Sequence, residues 1–233
     1  MLSEKIIIIE TIMTINNNLN AVLFDLDGTL FDTAPDLAFA LNITLKNNGF
    51  APLPLETIRS TISVGTIGML KQGLPFNENH NDFQRIRLEF LKIYQDHLAD
   101  QTILFDGMLS VLDTIESHQL KWGVVTNKPT HFSQALMQHF KLDTHAACLV
   151  GADRVTQPKP APDGLLLACE LMKIFPNQCV YVGDAKADVE AARAASMPII
   201  TALYGYITKN DDPQSWQADY TINTPADLLP LLF

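Results

Sequence analysis

The chain is short of cysteine, of basic charge and of long apolar runs, and each shortage removes a class of function. Its 3 cysteines, Cys148, Cys169 and Cys179, show no C-x-x-C spacing. An odd, scattered set builds neither a disulfide framework nor a zinc site, and fits reduced thiols in a cytoplasmic core. Only 16 Lys and Arg stand against 26 Asp and Glu, a formal charge of -10, and they form no stripe. Nucleic acid is therefore not an expected partner. The 6 histidines show no H-E-x-x-H or similar ligand spacing. The run Ile6 to Ile9 is broken by Glu10 and has only Lys5 as a basic neighbour, which argues against a signal peptide. No stretch approaches the roughly 18 uninterrupted apolar residues that span a bilayer. The expectation is a cytoplasmic protein with no membrane partner, a monomer or a homodimer. Residues 1–20, with the polar run Asn16-Asn17-Asn18, are expected to be an N-terminal extension, or translation begins at Met13.

What the chain does have is enough apolar content for a real core, 47% over 233 residues. From residue 103 onward, helical patterns alternate with short β-rich runs, the grammar of an α/β fold with a doubly wound parallel sheet. The strand candidates are Ala21 to Phe24, Trp122 to Thr126, Cys148 to Gly151, Val180 to Val182 and Ile199 to Leu203. Helical patterns lie near Met108 to His118, Thr130 to Phe140, Asp163 to Met172 and Ala185 to Ala195. Residues 35–100 break the alternation. They hold apolar stripes at helical spacing, Leu37, Leu41 and Leu45, then Phe83, Ile86, Phe90, Ile93 and Leu98, and no convincing strand. The predicted organisation is a core of residues 21–34 and 101–233, interrupted by a helical insert with hinges at Asp32 to Pro35 and about Asp100 to Asp106.

The chemistry concentrates where apolar runs end. In Val22-Leu23-Phe24-Asp25-Leu26-Asp27-Gly28-Thr29, a buried strand closes in two acids of alternate spacing. Residues two apart on a strand project to one side, so Asp25 and Asp27 can aim at a common point. Paired acids there suit Mg²⁺, a hard cation that binds one or two carboxylates together with substrate phosphate. Three later segments repeat the arrangement. Thr126 and Asn127 end one apolar run with a hydroxyl and an amide, both able to donate to phosphoryl oxygens. Lys159 is held between Pro158 and Pro160. Asp184 follows Tyr181-Val182-Gly183, with Asp188 four residues on at a helix start. In the insert, Ser63 to Gly68 precedes a helical segment whose N–H groups could meet an anion, flanked by Arg59 and Lys71 as candidate partners for a substrate carboxylate.

The order D-x-D-G-T, T-N, K-P, G-D-x-x-x-D resembles the haloacid dehalogenase superfamily of phosphohydrolases with an inserted helical cap, over about residues 21–225. Asp25 to Thr33 and Thr126-Asn127-Lys128-Pro129 look most like phosphoglycolate phosphatases and the closely similar phosphatases of N-acetylmuramic acid 6-phosphate. Ala185, where serine often follows the G-D pair, and Ser196, where glycine is usual, depart from that pattern. The resemblance implies Asp25 as nucleophile, Asp27 as general acid and base, and Thr126, Asn127 and Lys159 as substrate-binding residues. It also implies Mg²⁺ held by Asp25, Asp27 through its carbonyl, and Asp184, with Asp188 orienting the site behind them. The expected activity is Mg²⁺-dependent hydrolysis of a small phosphorylated metabolite through an aspartyl-phosphate, phosphoglycolate first and a six-phosphorylated amino sugar or other sugar phosphate second.

Other readings remain open on sequence. Phosphomutases of the superfamily keep the acid at position 27, so a sugar phosphomutase is not excluded. A phospho-acceptor receiver domain uses similar residue types, but carries its acceptor on a later strand and has no insertion of this kind. A calcium loop beginning at Asp25 fails because Gly28 comes too early and its twelfth place is Asp36.

Overall fold

The computed structural model describes residues 18–208 and 211–233. The expectations for an N-terminal extension and for Met13 therefore lie outside the described residues, save for Asn18, Leu19 and Asn20. Asn20 leads into the first strand: its N–H donates to the Gln178 carbonyl, and its carbonyl accepts from Lys121 N–H.

In chain order the elements are β1 (Ala21–Phe24), β2 (Phe31–Asp32), α1 (Ala34–Asn47), α2 (Leu55–Arg59), α3 (Gly65–Gly73), α4 (Phe83–Asp96) and β3 (Ile103–Leu104). Then come α5 (Met108–Ser117), β4 (Lys121–Val125), α6 (Thr130–His139), β5 (Leu149–Val150), α7 (Asp163–Met172) and β6 (Cys179–Gly183). The chain finishes with α8 (Lys186–Ala194), β7 (Ile199–Ala202), β8 (Tyr220–Ile222) and α9 (Leu229–Leu232). Six strands form one sheet in the order β5-β4-β1-β6-β7-β8, and every neighbouring pair is parallel. The fold is α/β, as the alternation predicts.

β1 lies at the centre because it can be buried on both faces. Its four residues Ala-Val-Leu-Phe are all fully buried, and period-two alternation sends them to opposite sides. Val22 and Phe24 join the cluster containing α5 and α6, while Ala21 and Leu23 join the one containing α7 and α8. Burying Phe24 alone contributes about 1.5–3 kcal/mol. The strand order reverses around β1, which separates β4 from β6, and such a switch point opens a crevice beyond the carboxyl ends of the strands. Register sets what lines that crevice. Phe24 pairs with Val124 on one side and Val182 on the other, so Asp25, Thr126 and Asp184 emerge one or two residues beyond the same level.

Three strands escape the sequence patterns. β8 extends the sheet beyond β7, with Ile200 opposite Tyr220. β2 and β3 form a separate antiparallel pair, Phe31 opposite Leu104 and Asp32 opposite Ile103, which ties together the two chain segments leading into and out of helices α1 to α4. A two-residue strand has no periodicity to read.

Helices α1 to α4 pack around the predicted stripes. Leu37, Leu41 and Leu45 of α1 are buried with Phe83, Ile86, Phe90 and Tyr94 of α4. α1 starts on a proline in its first turn, where the missing N–H costs nothing, and carries Asp36 there too. That carboxylate is fully buried and reaches across to the returning segment, accepting from Gln101 N–H at 3.0 Å, Thr102 N–H at 2.8 Å and the Thr102 hydroxyl at 2.7 Å. Both connections are thus clamped by one side chain. Among the described residues, no helix is long and apolar enough to cross a membrane.

Candidate active site

The carboxyl ends of β1, β4 and β6 bring most of the sequence-predicted residues together. Asp25, Asp184 and Asp188 each offer an oxygen within a group spanning 4.8 Å. Lys159 enters this group from the loop before α7. Its ammonium lies 2.9 Å from Asp25 Oδ1 and 2.6 Å from Asp188 Oδ1, and donates to the Tyr181 hydroxyl at 2.8 Å. Asp184 is held by both oxygens: the Thr29 hydroxyl donates to Oδ1 at 2.9 Å and Tyr206 N–H to Oδ2 at 2.7 Å. Gly28 makes room for it. Its φ of +85° suits a residue without a side chain, and a Cβ there would collide with the Asp184 carboxylate.

The electrostatics of this cluster are lopsided. Burial pushes the Asp25 carboxyl up to about 6, against the pull of Lys159 and with Asp188 and Asp27 adding to the rise. Asp184 is driven well above the carboxylate range by burial first, then by Asp25 and Asp188. Burial opposes the Lys159 ammonium, yet Asp188 and Asp25 outweigh it and hold the charge on. One lysine does not offset three acids. Asp25 Oδ1, although close to Lys159, makes no hydrogen bond of good angle. A buried oxygen left in that state, beside two further carboxylates, is the donor set of a hard divalent cation, so the residues present fit a metal ion.

Asp27 stands apart from the cluster. Its carboxylate accepts from the Thr33 hydroxyl at 2.6 Å and from Lys128 Nζ at 2.9 and 3.1 Å. Lys128 is buried and also lies 4.7 Å from the centre of the Tyr94 ring. Thr126 is buried at the end of β4, where its hydroxyl accepts from Lys128 N–H. Asn127 has a further task. Its side-chain amide holds the backbone of Lys159, donating one N–H to that carbonyl at 2.9 Å and accepting from that N–H at 2.9 Å. The residue thus positions the lysine while also lining the cavity.

A cavity of about 220 Å³ opens between this floor and helices α1, α3 and α4. Asp25, Asp27, Thr126, Lys128 and Lys159 line its floor. Ser63 to Thr66 line the facing wall, but the helix starts earlier than expected, at Gly65, so that only Ser63 and Val64 precede it. Arg59 and Lys71 do not reach it. Arg59 pairs with Asp32 at 2.9 Å and sits over the Tyr206 ring, while Lys71 pairs with Glu78 at 2.6 Å. The expectation that they meet a substrate carboxylate is thereby corrected, because both charges are already engaged by nearby acids.

The site contains residues that the sequence patterns missed. Lys128 was legible in Thr126-Asn127-Lys128-Pro129 but given no role. Tyr94 follows Phe90 by one helical turn and extends the α4 stripe. Tyr206 gave no signal, yet its hydroxyl accepts from Thr33 N–H at 2.7 Å and Ala34 N–H at 3.0 Å and donates to Asp32 Oδ1 at 3.0 Å. One residue thus joins Asp184, through its backbone, to the segment Asp32 to Ala34, through its side chain.

Comparison with known proteins accounts for this geometry. The model of the haloacid dehalogenase-like hydrolases matches residues 22–202. The chain belongs to that family. It is 39% identical over 210 residues to an N-acetylmuramic acid 6-phosphate phosphatase of Pseudomonas putida, covering 90% of this chain and 94% of the relative. It is 40% identical over 211 residues to a phosphoglycolate phosphatase of Xanthomonas campestris, covering 89% and 94%. A crystal structure of a predicted phosphoglycolate phosphatase from Haemophilus somnus superposes with a TM-score of 0.85 over 93% of this chain and 99% of that one, at 24% identity. This member of the haloacid dehalogenase-like hydrolases is a phosphatase, a phosphoric monoester hydrolase.

Proposed function

We propose that this enzyme hydrolyses a small phosphomonoester in two displacements, with Asp25 as the group that carries the phosphoryl between them. The observation that carries the reading is the convergence of Asp25, Asp184 and Asp188 around the Lys159 ammonium at the switch point of the sheet. An Asp25 oxygen attacks phosphorus, the bond from phosphorus to the ester oxygen breaks, and the departing alkoxide takes a proton from Asp27. Water then attacks the aspartyl-phosphate, gives a proton to Asp27, and the bond from phosphorus to Asp25 breaks. Phosphate leaves and Asp27 is protonated again. Lys159 balances charge on the transferring group while Thr126 donates a hydrogen bond to it. Lys128 and Thr33 fix the Asp27 carboxylate beside the path of the leaving oxygen.

The fitting metal is Mg²⁺, held by Asp25, Asp184 and the carbonyl of Asp27, with Asp188 steadying the set through Lys159 and its bond from Ala185 N–H. Bound there, it would neutralise the repulsion between carboxylate and phosphate. Residues 35–100 act as a cap over the site, hinged where Asp36, β2 and β3 bind the two connections together. The substrates named for the two relatives, phosphoglycolate and N-acetylmuramic acid 6-phosphate, at nearly equal identity, mark the range of esters to be compared.

Phosphate release from a panel of phosphomonoesters, with and without chelator and beside Asp25→Asn, tests the reading. It predicts hydrolysis that needs both the metal and Asp25. Turnover that persists in chelator, or an Asp25→Asn variant as fast as the parent, contradicts it.

A further inference from the structure

The substrate cavity has two unlike walls, and the difference bears on what the leaving group can be. Among the described residues, both cations that line it, Lys128 and Lys159, stand on the floor and both are committed. Lys159 is locked between Asp25 and Asp188, and Lys128 is paired with Asp27. The described residues of the wall facing them, from α1, α3, α4 and the turn before α3, include no charged side chain. It is built from apolar groups such as Ile62, Met69 and Phe90. Its polar side chains are the hydroxyls of Ser63, Thr66 and Tyr94. The nearby cations of the same helices, Arg59 and Lys71, lie outside the cavity in ion pairs of their own.

A second anion brought into this space, beyond the phosphoryl group, meets no unspent counter-charge. Burying a carboxylate without a partner is costly, and the N–H groups at the start of α3 supply a partial dipole instead of a full charge. A neutral hydroxyl meets a different reception. The Tyr94 hydroxyl is buried with no hydrogen-bond partner among the described residues, and burial holds it firmly protonated, so it can donate to an uncharged oxygen.

Resting on the phosphatase reading above, we propose that the part of the substrate entering this cavity is an uncharged, hydroxyl-bearing carbon skeleton, and that a carboxylate next to the ester is refused. The chemical class is the monophosphate of a neutral polyol or sugar. The refusal applies inside the cavity, where the wall lacks a cation, and leaves an acid at the far end of a longer skeleton free to sit in solvent.

The test is a matched pair that differs in one charge, 2-hydroxyethyl phosphate and phosphoglycolate, with kcat/KM measured for the full chain in Mg²⁺. The neutral ester is expected to be preferred by about tenfold or more, the scale of discrimination when a site leaves a polar group unpaired. Ser63→Arg, which adds a cation to the wall, is expected to narrow that ratio by about tenfold. Phosphoglycolate turned over as well as the neutral ester, or better, overturns the proposal while leaving the phosphatase reading intact. Absence of Asp25-dependent phosphate release from both esters and from p-nitrophenyl phosphate overturns the phosphatase reading, and this proposal falls with it.

Discussion

The floor and the wall of the cavity are made in opposite ways. On the floor, acids and lysines are buried, and nearly every polar atom has a named partner: Asp184 takes Thr29 and Tyr206, Asp188 takes Lys159 and Ala185. On the wall, apolar side chains dominate and the Tyr94 hydroxyl has no hydrogen-bond partner among the described residues. A dense network of charge fixes geometry and is intolerant of change. An apolar wall excludes water and sorts substrates by shape and charge, and tolerates substitution more readily. On the proposed function, chemistry would belong to the sheet, and choice of substrate to the helices laid over it.

The largest break in that contrast should come from Asp25→Asn, which keeps the shape of the floor and removes the proposed nucleophile. Steady-state phosphate release should fall by about 10⁴-fold or more, with an unchanged circular dichroism spectrum. Lys159→Met comes next, because it strips the one ammonium that Asp25 and Asp188 share. Activity should drop by about 10²- to 10³-fold, and urea unfolding should show a loss of about 3–5 kcal/mol, the usual result of leaving buried charge unpaired. A Lys159→Met protein as stable as the parent would mean that the acids are not ionised around it.

Tyr206→Phe is a smaller cut. It leaves Thr33 N–H without its acceptor and Ala34 N–H with only the longer bond to Asp32 Oδ1 at 3.3 Å, while sparing the bond from Tyr206 N–H to Asp184. Stability should fall by about 1–3 kcal/mol in urea, with a mild effect on rate. A rate loss as deep as that of Lys159→Met would place the hinge inside the chemistry instead of behind it.

The smallest effect is the dependence of stability on pH in the metal-free protein. Asp25 titrates at about 6 when folded, against an ordinary value of 3.8. A carboxyl raised in this way keeps its proton longer in the native state than in the unfolded chain. Between those values the native state binds more protons, so this group's contribution falls as pH rises and is fully lost above about 6. Melting temperatures in chelator should therefore show a decline across that window that Asp25→Asn lessens, with Asp184, also raised by burial, supplying the remainder. Added Mg²⁺ should raise the melting temperature more above the window than below it. A flat profile shared by parent and variant would contradict the electrostatic picture of the floor.

The floor was far more legible in sequence than the wall, for a physical reason. Each floor residue sits at the end of an apolar strand, and a parallel strand buried on both faces advertises itself as an uninterrupted hydrophobic run. Val22 to Asp25 and Val180 to Asp184 can be aligned by eye, and the sheet register does the rest. The wall depends on how helices cross. Leu37, Phe90 and Tyr94 are visible as stripes, but nothing in their spacing tells which side chains face the site and which face each other. Arg59 and Lys71 are unreadable for a related reason, since their partners Asp32, in β2, and Glu78, in the turn between α3 and α4, are set by how the chain folds back. Asn127 illustrates a second limit. Its residue type reads as a donor, yet its bonds to the Lys159 backbone depend on a loop thirty-two residues away. Tyr206 was unreadable because its two contacts lie far from it in sequence.

The most direct measurement is acid-quenched mass spectrometry of the enzyme during turnover of a good phosphomonoester, with the phosphorylated peptide sequenced. The account predicts phosphate on Asp25, appearing and decaying at rates that match turnover, and absent from Asp25→Asn. Phosphate trapped on another residue, or turnover with no phosphorylated protein under conditions where hydrolysis of the intermediate is slowed, would contradict it.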